Sequence, residues 1–360
     1  MRHLASPFFW TKSFLFVGVG YFLYSCFFGR TNIHEESSQK AEFFKVEDVI
    51  ERPNVEINRL EERPLTDSGS KDSDFGTDFA TANSNLICSG ENEKKCAAPL
   101  KRYRSIIYTV PKYRISACTI YKNMSSMLRA IMCYLFNPEF SNKYKPNFTD
   151  YYKADNCWSG FTDMFYGYKQ VLKAYPDFVS ANWTMLALVR DPIEKFVSGF
   201  VDKCVRSRAC KHCNTDIYCF IKEQYKEIIE SSYNLSGLRH SYVNDHFFPQ
   251  NWQCDMSTYY RNYTFIKFSS DPETIPKFYQ KIADLLTSRK IEDKIVAEIL
   301  EHLEKERSQN TNSGRLLLDS LAKGYMLKIK SNPKLMEYMI RMYYHDFRLF
   351  GYEIPGLRNK

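Results

Sequence analysis

Two short polar segments of the sequence carry side chains that could hold phosphate or sulfate groups. Lys122 opens the first segment, and Ser125 and Ser126 follow it at the start of an apolar helical pattern. Arg190 opens the second segment, and Ser198 lies two turns into the next helical pattern. Backbone N–H groups at a helix start, the positive end of the helix dipole, and lysine or arginine side chains all favour bound anions. The segments therefore predict two anion sites, suited to one ligand with phosphates at two positions.

Each of these segments follows an apolar run of strand length. Residues 115–121 and 185–189 precede the two segments, and residues 263–268 form a third run of this kind. Strands that alternate with helices predict an α/β fold with a central parallel sheet flanked by helices. Ligands bind such sheets beyond the carboxyl ends of the strands. We therefore expect both polar segments at the same edge of the sheet, with Ser125 as the N-cap of the first helix.

Neither segment contains a glycine-rich nucleotide-binding loop. The patterns G-x-x-x-x-G-K-[ST] and G-x-G-x-x-G are both absent from the chain, which argues against the alternative of a kinase or other ATP-binding enzyme. A purely structural alternative also stands at this point, because Arg190 could simply pair with Asp191 or Glu194.

The N-terminal region predicts a membrane anchor. An apolar run at residues 13–29 has Arg2 and Lys12 before it and Arg30 directly after it. Its length is at the short end of the ~17–25 residues that span a bilayer. The positive charges before the run predict a cytosolic tail at residues 1–12 and a single-pass type II protein. A cleavable signal peptide is the alternative, although no small-x-small cleavage site follows the run.

The region beyond the anchor divides by composition. Residues 30–98 are polar and acidic, which predicts a disordered lumenal stem, whereas residues 99–360 hold the apolar patterns of a folded body. A small membrane-proximal domain closed by Cys88 and Cys96 is the alternative to the stem. Of the 11 cysteines, all but Cys26 lie beyond the anchor. Their even number predicts disulfides in an oxidising lumen. Four N-glycosylation sequons point the same way, at Asn147, Asn182, Asn234 and Asn262.

The charge and composition of the chain restrict its class further. The hydrophobic content is 44% and the aromatic content 16%, which excludes disorder throughout the chain. The net charge is +8 although the stem is acidic, so the body must be basic. A basic body on an acidic stem is expected to bind anionic ligands.

Residues 190–200 resemble the R-D-P-x-x-R-x-x-S segment of Golgi carbohydrate sulfotransferases (sulfotransferase family 2), which use 3′-phosphoadenosine 5′-phosphosulfate (PAPS). In that family the segment holds the 3′-phosphate, which implies this role for Arg190 and Ser198. Residues 121–126 are similar to the P-K-x-x-x-T loop that grips the 5′-phosphosulfate. The resemblance implies donor binding by the loop residues Lys122, Asn123, Met124, Ser125, Ser126 and Met127. It also implies the P-loop-like fold of these enzymes.

The second half of the chain resembles the chondroitin 4-O-sulfotransferase branch. Residues 244–254 are similar to its D-x-H-W-x-P…C segment, and residues 344–352 resemble its closing segment. The resemblance spans about residues 106–352 in all. The departures from the family pattern are Tyr121 for Pro, Ser126 for Thr and Lys195 for Arg. The resemblance implies sulfation of a glycosaminoglycan in the Golgi membrane, with the 4-O position of N-acetylgalactosamine in chondroitin as the expected acceptor.

Two residues are expected to take part in the transfer itself. Lys122 is placed to meet the negative charge on the bridging oxygen that leaves the sulfur. His246 is the first candidate for the base that takes the proton of the acceptor hydroxyl. Its alternative role is packing among aromatic neighbours, and Glu194 and Asp245 are lesser candidates for the base. The chemistry needs no metal, and we expect a glycan and a membrane, not a nucleic acid, as partners.

Two further alternatives concern a cysteine cluster and the function. The cluster is formed by Cys204, Cys210, Cys213 and Cys219 around His212. It allows a zinc site, but the spacing is not that of a standard finger and an oxidising lumen favours disulfides. Cations beside the cluster could grip an acidic glycan or form a solvated face, namely Lys203, Arg206, Arg208 and Lys211. The functional alternative is a catalytically silent lumenal glycan-binding relative, which would not need both anion sites.

Overall fold

A computed structural model of the chain describes residues 88–99, 103, 105–137, 163–234, 241, 243–309 and 313–356. The expected cytosolic tail, membrane anchor and most of the expected stem lie outside these residues. Among the helices that are described, none combines the length and the apolarity needed to cross a bilayer.

The described strands form one mixed five-stranded sheet in the order β3-β1-β2-β4-β5. The strands are β1 (Ile106–Val110), β2 (Ile115–Cys118), β3 (Asp163–Tyr166), β4 (Thr184–Arg190) and β5 (Tyr263–Phe268). Strands β2, β4 and β5 run parallel to one another. Strand β1 is antiparallel to both β2 and β3.

The expectation of a parallel sheet is therefore correct for the pairings of β4 with β2 and β5, and wrong for the two pairings of β1, which runs opposite to the other four strands. Strands β1 and β2 are joined by a turn at residues 111–114, with Arg114 in the left-handed region at φ 51°. A turn of this length can join only antiparallel neighbours, because a parallel connection needs a crossover of a dozen or more residues. The first expected strand also ends earlier than predicted, at Cys118 instead of residue 121.

Helices flank the sheet and account for most of the remaining described residues. They are α1 (Ser125–Phe136), α2 (Tyr168–Ala174), α3 (Pro192–Phe200), α4 (Ile217–Tyr233), α5 (Met256–Tyr259), α6 (Ile275–Ser288), α7 (Asp293–Gln309), α8 (Ser313–Lys330) and α9 (Pro333–Phe350). A π-helical turn, Val201–Arg206, continues α3. Short 3₁₀ turns include Gly90–Lys95, Asn244–His246 and Gln250–Asp255.

Strand β4 is the centre of the core because both of its faces are covered. Leu186 and Leu188 point to one face, where α1, α6 and α7 pack. Met185, Ala187 and Val189 point to the other face, together with residues of α2. Burial on both faces explains why this strand reads as a continuous apolar run without alternation. A separate apolar cluster joins α3, α4 and α9.

The end of the expected stem packs on the body. A disulfide links Cys88 to Cys96, and the backbone N–H of Ala97 donates to the carbonyl of Arg341 at 3.0 Å. The indole N–H of Trp252 donates to the carbonyl of Ala98 at 2.9 Å. Ala97 and Ala98 therefore have fixed contacts with the body, and the disulfide links Cys88 to this segment.

A disulfide between Cys118 and Cys254 joins the end of β2 to the 3₁₀ turn Gln250–Asp255, across a sequence separation of 136. In the chain-entropy account, the cost of losing a disulfide grows with the length of the loop that it closes. Replacing both cysteines by serine is expected to lower the free energy of unfolding by about 5 kcal/mol, as measured by urea denaturation.

The matched control replaces Cys213 and Cys219, a disulfide with a sequence separation of only 6. The same account gives a loss of about 2 kcal/mol for that pair. Equal losses for the two pairs would contradict the prediction that the longer loop dominates.

Candidate functional site

The loop between β2 and α1 has a backbone suited to binding an anion. Lys122 and Met124 both adopt the left-handed region, at φ 70° and 55°. The helix begins at Ser125 with Met124 as its N-cap and no capping side chain, so the expectation that Ser125 caps the helix is wrong. The first N–H groups of a helix have no partner within the helix. Here they follow left-handed residues, an arrangement that cradles anions.

Lys122 supplies the positive charge of this loop. Its ammonium lies 3.0 Å from a carboxylate oxygen of Asp202, in the π-helical turn after α3. Burial lowers the pKa of Lys122 and the charge of Asp202 partly offsets this effect. Burial alone would raise the pKa of Asp202, but the charges of Lys122 and Lys203 outweigh it and lower that pKa to about 2. The carboxylate is therefore ionised at neutral pH and holds the lysine beside the loop.

Arg190 lies at the end of β4 and reaches across to the first loop. Its guanidinium donates to the carbonyl oxygen of Lys122 at 3.1 Å, to Glu194 at 3.3 Å and to the hydroxyl of Ser270. Phe268 places its ring 5.2 Å from the guanidinium carbon. Burial lowers the pKa of Arg190, and the Glu194 carboxylate opposes that shift. The ion pair with Glu194, which was the purely structural alternative for Arg190, is therefore present. Arg190 also connects the segment that follows β4 to the loop that contains Lys122.

The two expected anion sites lie at one edge of the sheet. Strands β2 and β4 are parallel neighbours with Cys118 opposite Ala187, so their carboxyl ends point the same way. The side-chain N–H of Asn123 donates to the carbonyl of Leu188 at 2.9 Å, a second contact between the loops. One ligand can therefore contact both loops.

The remaining residues expected to bind the donor differ in their exposure. Ser125, Ser126 and Ser198 are half-buried, as side chains at a ligand surface would be. Met127 belongs to α1 and is buried in the core between this helix and the sheet, and Met124 packs at the border of that core. Only the backbone of Met127 is thus left to face a ligand. Asn123 is 1% exposed, and its side chain is enclosed between the two loops.

Three residues that contact these loops were missed by the sequence analysis. Asp202 pairs with Lys122, Ser270 pairs with Arg190, and Gln250 accepts from the Asn123 amide at 2.6 Å. Ser270 could have been found, because it follows β5 and carboxyl ends of strands are where ligands bind. No sequence pattern marks Asp202 or Gln250.

His246 lies beside the first loop. Its ring stacks on Tyr121 with the centroids 4.3 Å apart, and Tyr121 immediately precedes Lys122. Among the lesser candidates for the base, Asp245 accepts from the hydroxyl of Tyr103 at 2.6 Å. Glu194 is engaged by Arg190. Both carboxylates therefore have structural partners, and His246, which is 5% exposed, is placed next to the residue that precedes Lys122.

Comparisons with known proteins agree with this geometry. The family model described as "Sulfotransferase family" matches residues 106–353, which include the whole site. The chain belongs to the sulfotransferase family. Membership implies PAPS as the sulfate donor, and the cationic loops just described fit a donor with phosphate groups at two positions.

Relatives of this sulfotransferase occur in Caenorhabditis elegans. An uncharacterized protein is 30% identical over 274 residues, covering 73% of this chain and 74% of the relative. A second, vep-2, is 31% identical over 226 residues, covering 61% and 69%. The carbohydrate sulfotransferase chst-1 is 27% identical over 260 residues, covering 68% and 74%. No solved structure gives a significant match.

The cysteine cluster of the sulfotransferase is oxidised. Disulfides join Cys204 to Cys210 and Cys213 to Cys219. His212 lies close to the second pair, but sulfurs in a disulfide cannot act as the thiolate ligands that zinc takes. The disulfide interpretation of the cluster therefore agrees with the structure.

Lys195 of the sulfotransferase, which stands where the family usually has arginine, supports the His246 segment. Its ammonium donates to the carbonyls of His246 at 3.0 Å and Phe248 at 2.9 Å. Complete burial lowers its pKa from 10.5 to about 7, against the opposing charge of Asp346. The lysine thus anchors the backbone on both sides of Phe247.

The lowered pKa of Lys195 predicts how stability depends on pH. Between pH 7 and 10.5 the unfolded chain holds a proton that the folded chain has released, so stability rises with pH there. The contribution has a slope of up to about 1.4 kcal/mol per pH unit. We expect Lys195→Met to remove this contribution, as measured by urea denaturation across that range. Parallel pH profiles of the native protein and the variant would show that the lysine does not titrate there.

Proposed function

We propose that the protein is a carbohydrate sulfotransferase that transfers the sulfuryl group of PAPS to a glycosaminoglycan hydroxyl. The expected acceptor is chondroitin, at the 4-O position of N-acetylgalactosamine. The observation that carries the proposal is the contact between the Arg190 guanidinium and the carbonyl of Lys122, because it unites two cationic loops at one sheet edge. The named relative chst-1 supports a carbohydrate acceptor. The segments at residues 244–254 and 344–352 support the chondroitin branch.

The residues of the site have complementary roles in donor binding. The N–H groups at the start of α1 and the ammonium of Lys122 bind the 5′-phosphosulfate end. Arg190 and Ser198 bind the 3′-phosphate. A lysine ammonium has three N–H donors, so Lys122 can keep its bond to Asp202 while donating to the donor's bridging oxygen.

Transfer forms a bond between sulfur and the acceptor oxygen and breaks the bond between sulfur and the bridging oxygen. Adenosine 3′,5′-bisphosphate leaves with the electron pair of the broken bond. By analogy with phosphoryl transfer, the reaction runs in line through a loose transition state. Lys122 stabilises the negative charge on the leaving oxygen. His246 takes the proton of the acceptor hydroxyl.

We further propose that the protein is a Golgi enzyme anchored as a single-pass type II membrane protein. The support is the apolar run at residues 13–29 with its positive flank. The four disulfides among the described residues suit an oxidising lumen.

Incubation with radiolabelled PAPS and a panel of desulfated glycans tests the activity. We expect label on chondroitin, at the 4-position of N-acetylgalactosamine after disaccharide analysis. Lys122→Ala or Arg190→Ala is expected to lower transfer by at least about 10²-fold, because each removes a charge that the transition state or the donor needs. Lys112→Ala is the matched control, since that exposed lysine pairs with Glu292; its activity should be unchanged.

Other outcomes of this experiment separate the alternatives. Binding of adenosine 3′,5′-bisphosphate without transfer to any glycan would indicate the catalytically silent relative. Label on another glycan would retain the sulfotransferase and reject chondroitin as the acceptor. Transfer from ATP in preference to PAPS would overturn the proposal.

The role of His246 is tested separately. His246→Ala is expected to lower kcat by about 10²–10⁴-fold, the usual contribution of a general base, while the affinity for adenosine 3′,5′-bisphosphate stays the same. His345→Ala is the control, because His345 lies on α9 against Tyr344. Turnover of His246→Ala close to that of the control would reduce His246 to a packing role.

A further inference from the structure

One fully buried amide connects the two loops that the donor is proposed to bridge. The side chain of Gln250 has no exposed surface. Its oxygen accepts from the side-chain N–H of Asn123 at 2.6 Å and from the backbone N–H of Arg190 at 3.0 Å. Its N–H group donates to the carbonyl of Arg190 at 2.8 Å. The amide thus holds the first loop through a side chain and the second loop through both backbone groups of one residue.

Gln250 is itself held in place from behind. Its backbone N–H donates to the buried carboxylate of Asp346 on α9 at 2.7 Å. The same carboxylate accepts from the backbone and the side chain of Asn251 at 2.8 and 2.7 Å. The disulfide from Cys254 to Cys118 ties the segment to the end of β2. The glutamine is therefore a fixed point from which the two loops are positioned.

The hydrogen bonds of Gln250 fix the distance between the two loops and add no charge to the site. Gln250 is neutral and buried, and its three side-chain hydrogen bonds engage Asn123 and the backbone of Arg190, so it adds no attraction for a phosphate. A ligand that carries two phosphates needs both anion sites at the correct separation, whereas a ligand with one phosphate needs only one of them. A displacement of about 1 Å can cost about 10²-fold where two groups must be engaged together.

We propose that Gln250 is a positioning residue that sets the distance between the two anion sites. It thereby makes the enzyme selective for nucleotides phosphorylated at both the 3′ and the 5′ positions. This inference rests on the proposed function, because it assumes that one nucleotide occupies both sites. Asn123 and Arg190 contact the nucleotide sites; Gln250 acts through them.

The test compares three ligands by calorimetry on the full chain: adenosine 5′-phosphate, adenosine 3′-phosphate and adenosine 3′,5′-bisphosphate. In the native protein the bisphosphate should bind much more tightly than either monophosphate. Gln250→Met keeps the approximate volume but removes all three side-chain hydrogen bonds. We expect it to weaken bisphosphate binding by at least about tenfold, while each monophosphate changes by less than about threefold.

Gln253→Met is the matched control. Gln253 is buried in the same 3₁₀ turn, and its side chain accepts from the hydroxyl of Ser105 at 2.7 Å, a residue outside the two loops. This variant should lose stability without losing the preference for the bisphosphate. If Gln250→Met does not fold, Asn123→Leu removes the hydrogen bond to Gln250 from the other side, together with the bond to Leu188, and should weaken bisphosphate binding while each monophosphate changes by less than about threefold.

The outcomes distinguish the inference from the function on which it rests. A native preference for the bisphosphate that survives in Gln250→Met, or in Asn123→Leu if that variant is used, overturns the positioning role and leaves the sulfotransferase proposal intact. Equal weakening of all three ligands assigns Gln250 a general structural role and also overturns the inference. Absence of any preference in the native protein overturns both the inference and the proposed donor.

Discussion

The parallel pairing of β2 with β4 is the constraint on which the site depends. It brings the carboxyl ends of both strands to one edge of the sheet, so the loop containing Lys122 and the segment beginning at Arg190 must be neighbours. The hydrogen bond from Arg190 to the carbonyl of Lys122 is possible only because of this pairing. Side chains of both segments then add their charges at one place, which neither loop could provide alone.

Concentrating cations in a half-buried site is costly unless each has a partner, because burial disfavours the charged form. The protein places a carboxylate beside each of the two cations proposed to bind the donor: Asp202 beside Lys122 and Glu194 beside Arg190. These ion pairs hold the cations in position before a ligand arrives, which is what electrostatic preorganisation requires. Lys195 is stabilised in another way, because backbone carbonyls accept its hydrogen bonds. Burial lowers its pKa to about 7.

The sequence predicted those elements of the fold that have a clear local pattern of apolar and polar residues. The continuous apolar run of β4 and the periodic stripe of α1 predicted both elements, and their order predicted a shared sheet edge. Strands β1 and β3 were missed because a short edge strand such as Asp163–Tyr166 has no strong pattern of its own. Contacts between positions far apart in the sequence could not be predicted either, such as the contact between Gln250 and Asp346. Such pairs are defined by packing in three dimensions and leave no spacing signal.

The segment at residues 244–254 explains why the donor is easier to infer than the acceptor. It carries His246, is anchored by Lys195 and Asp346, and contacts both donor loops through Gln250. His246 and the two donor loops therefore share one buried support, whose residue types are restricted by packing and hydrogen bonding. Side chains at the surface are less restricted in type, as at Arg206, which is 65% exposed. The buried contacts therefore support the proposed donor site, whereas the proposed acceptor rests on the resemblance of residues 244–254 and 344–352 and not on these contacts.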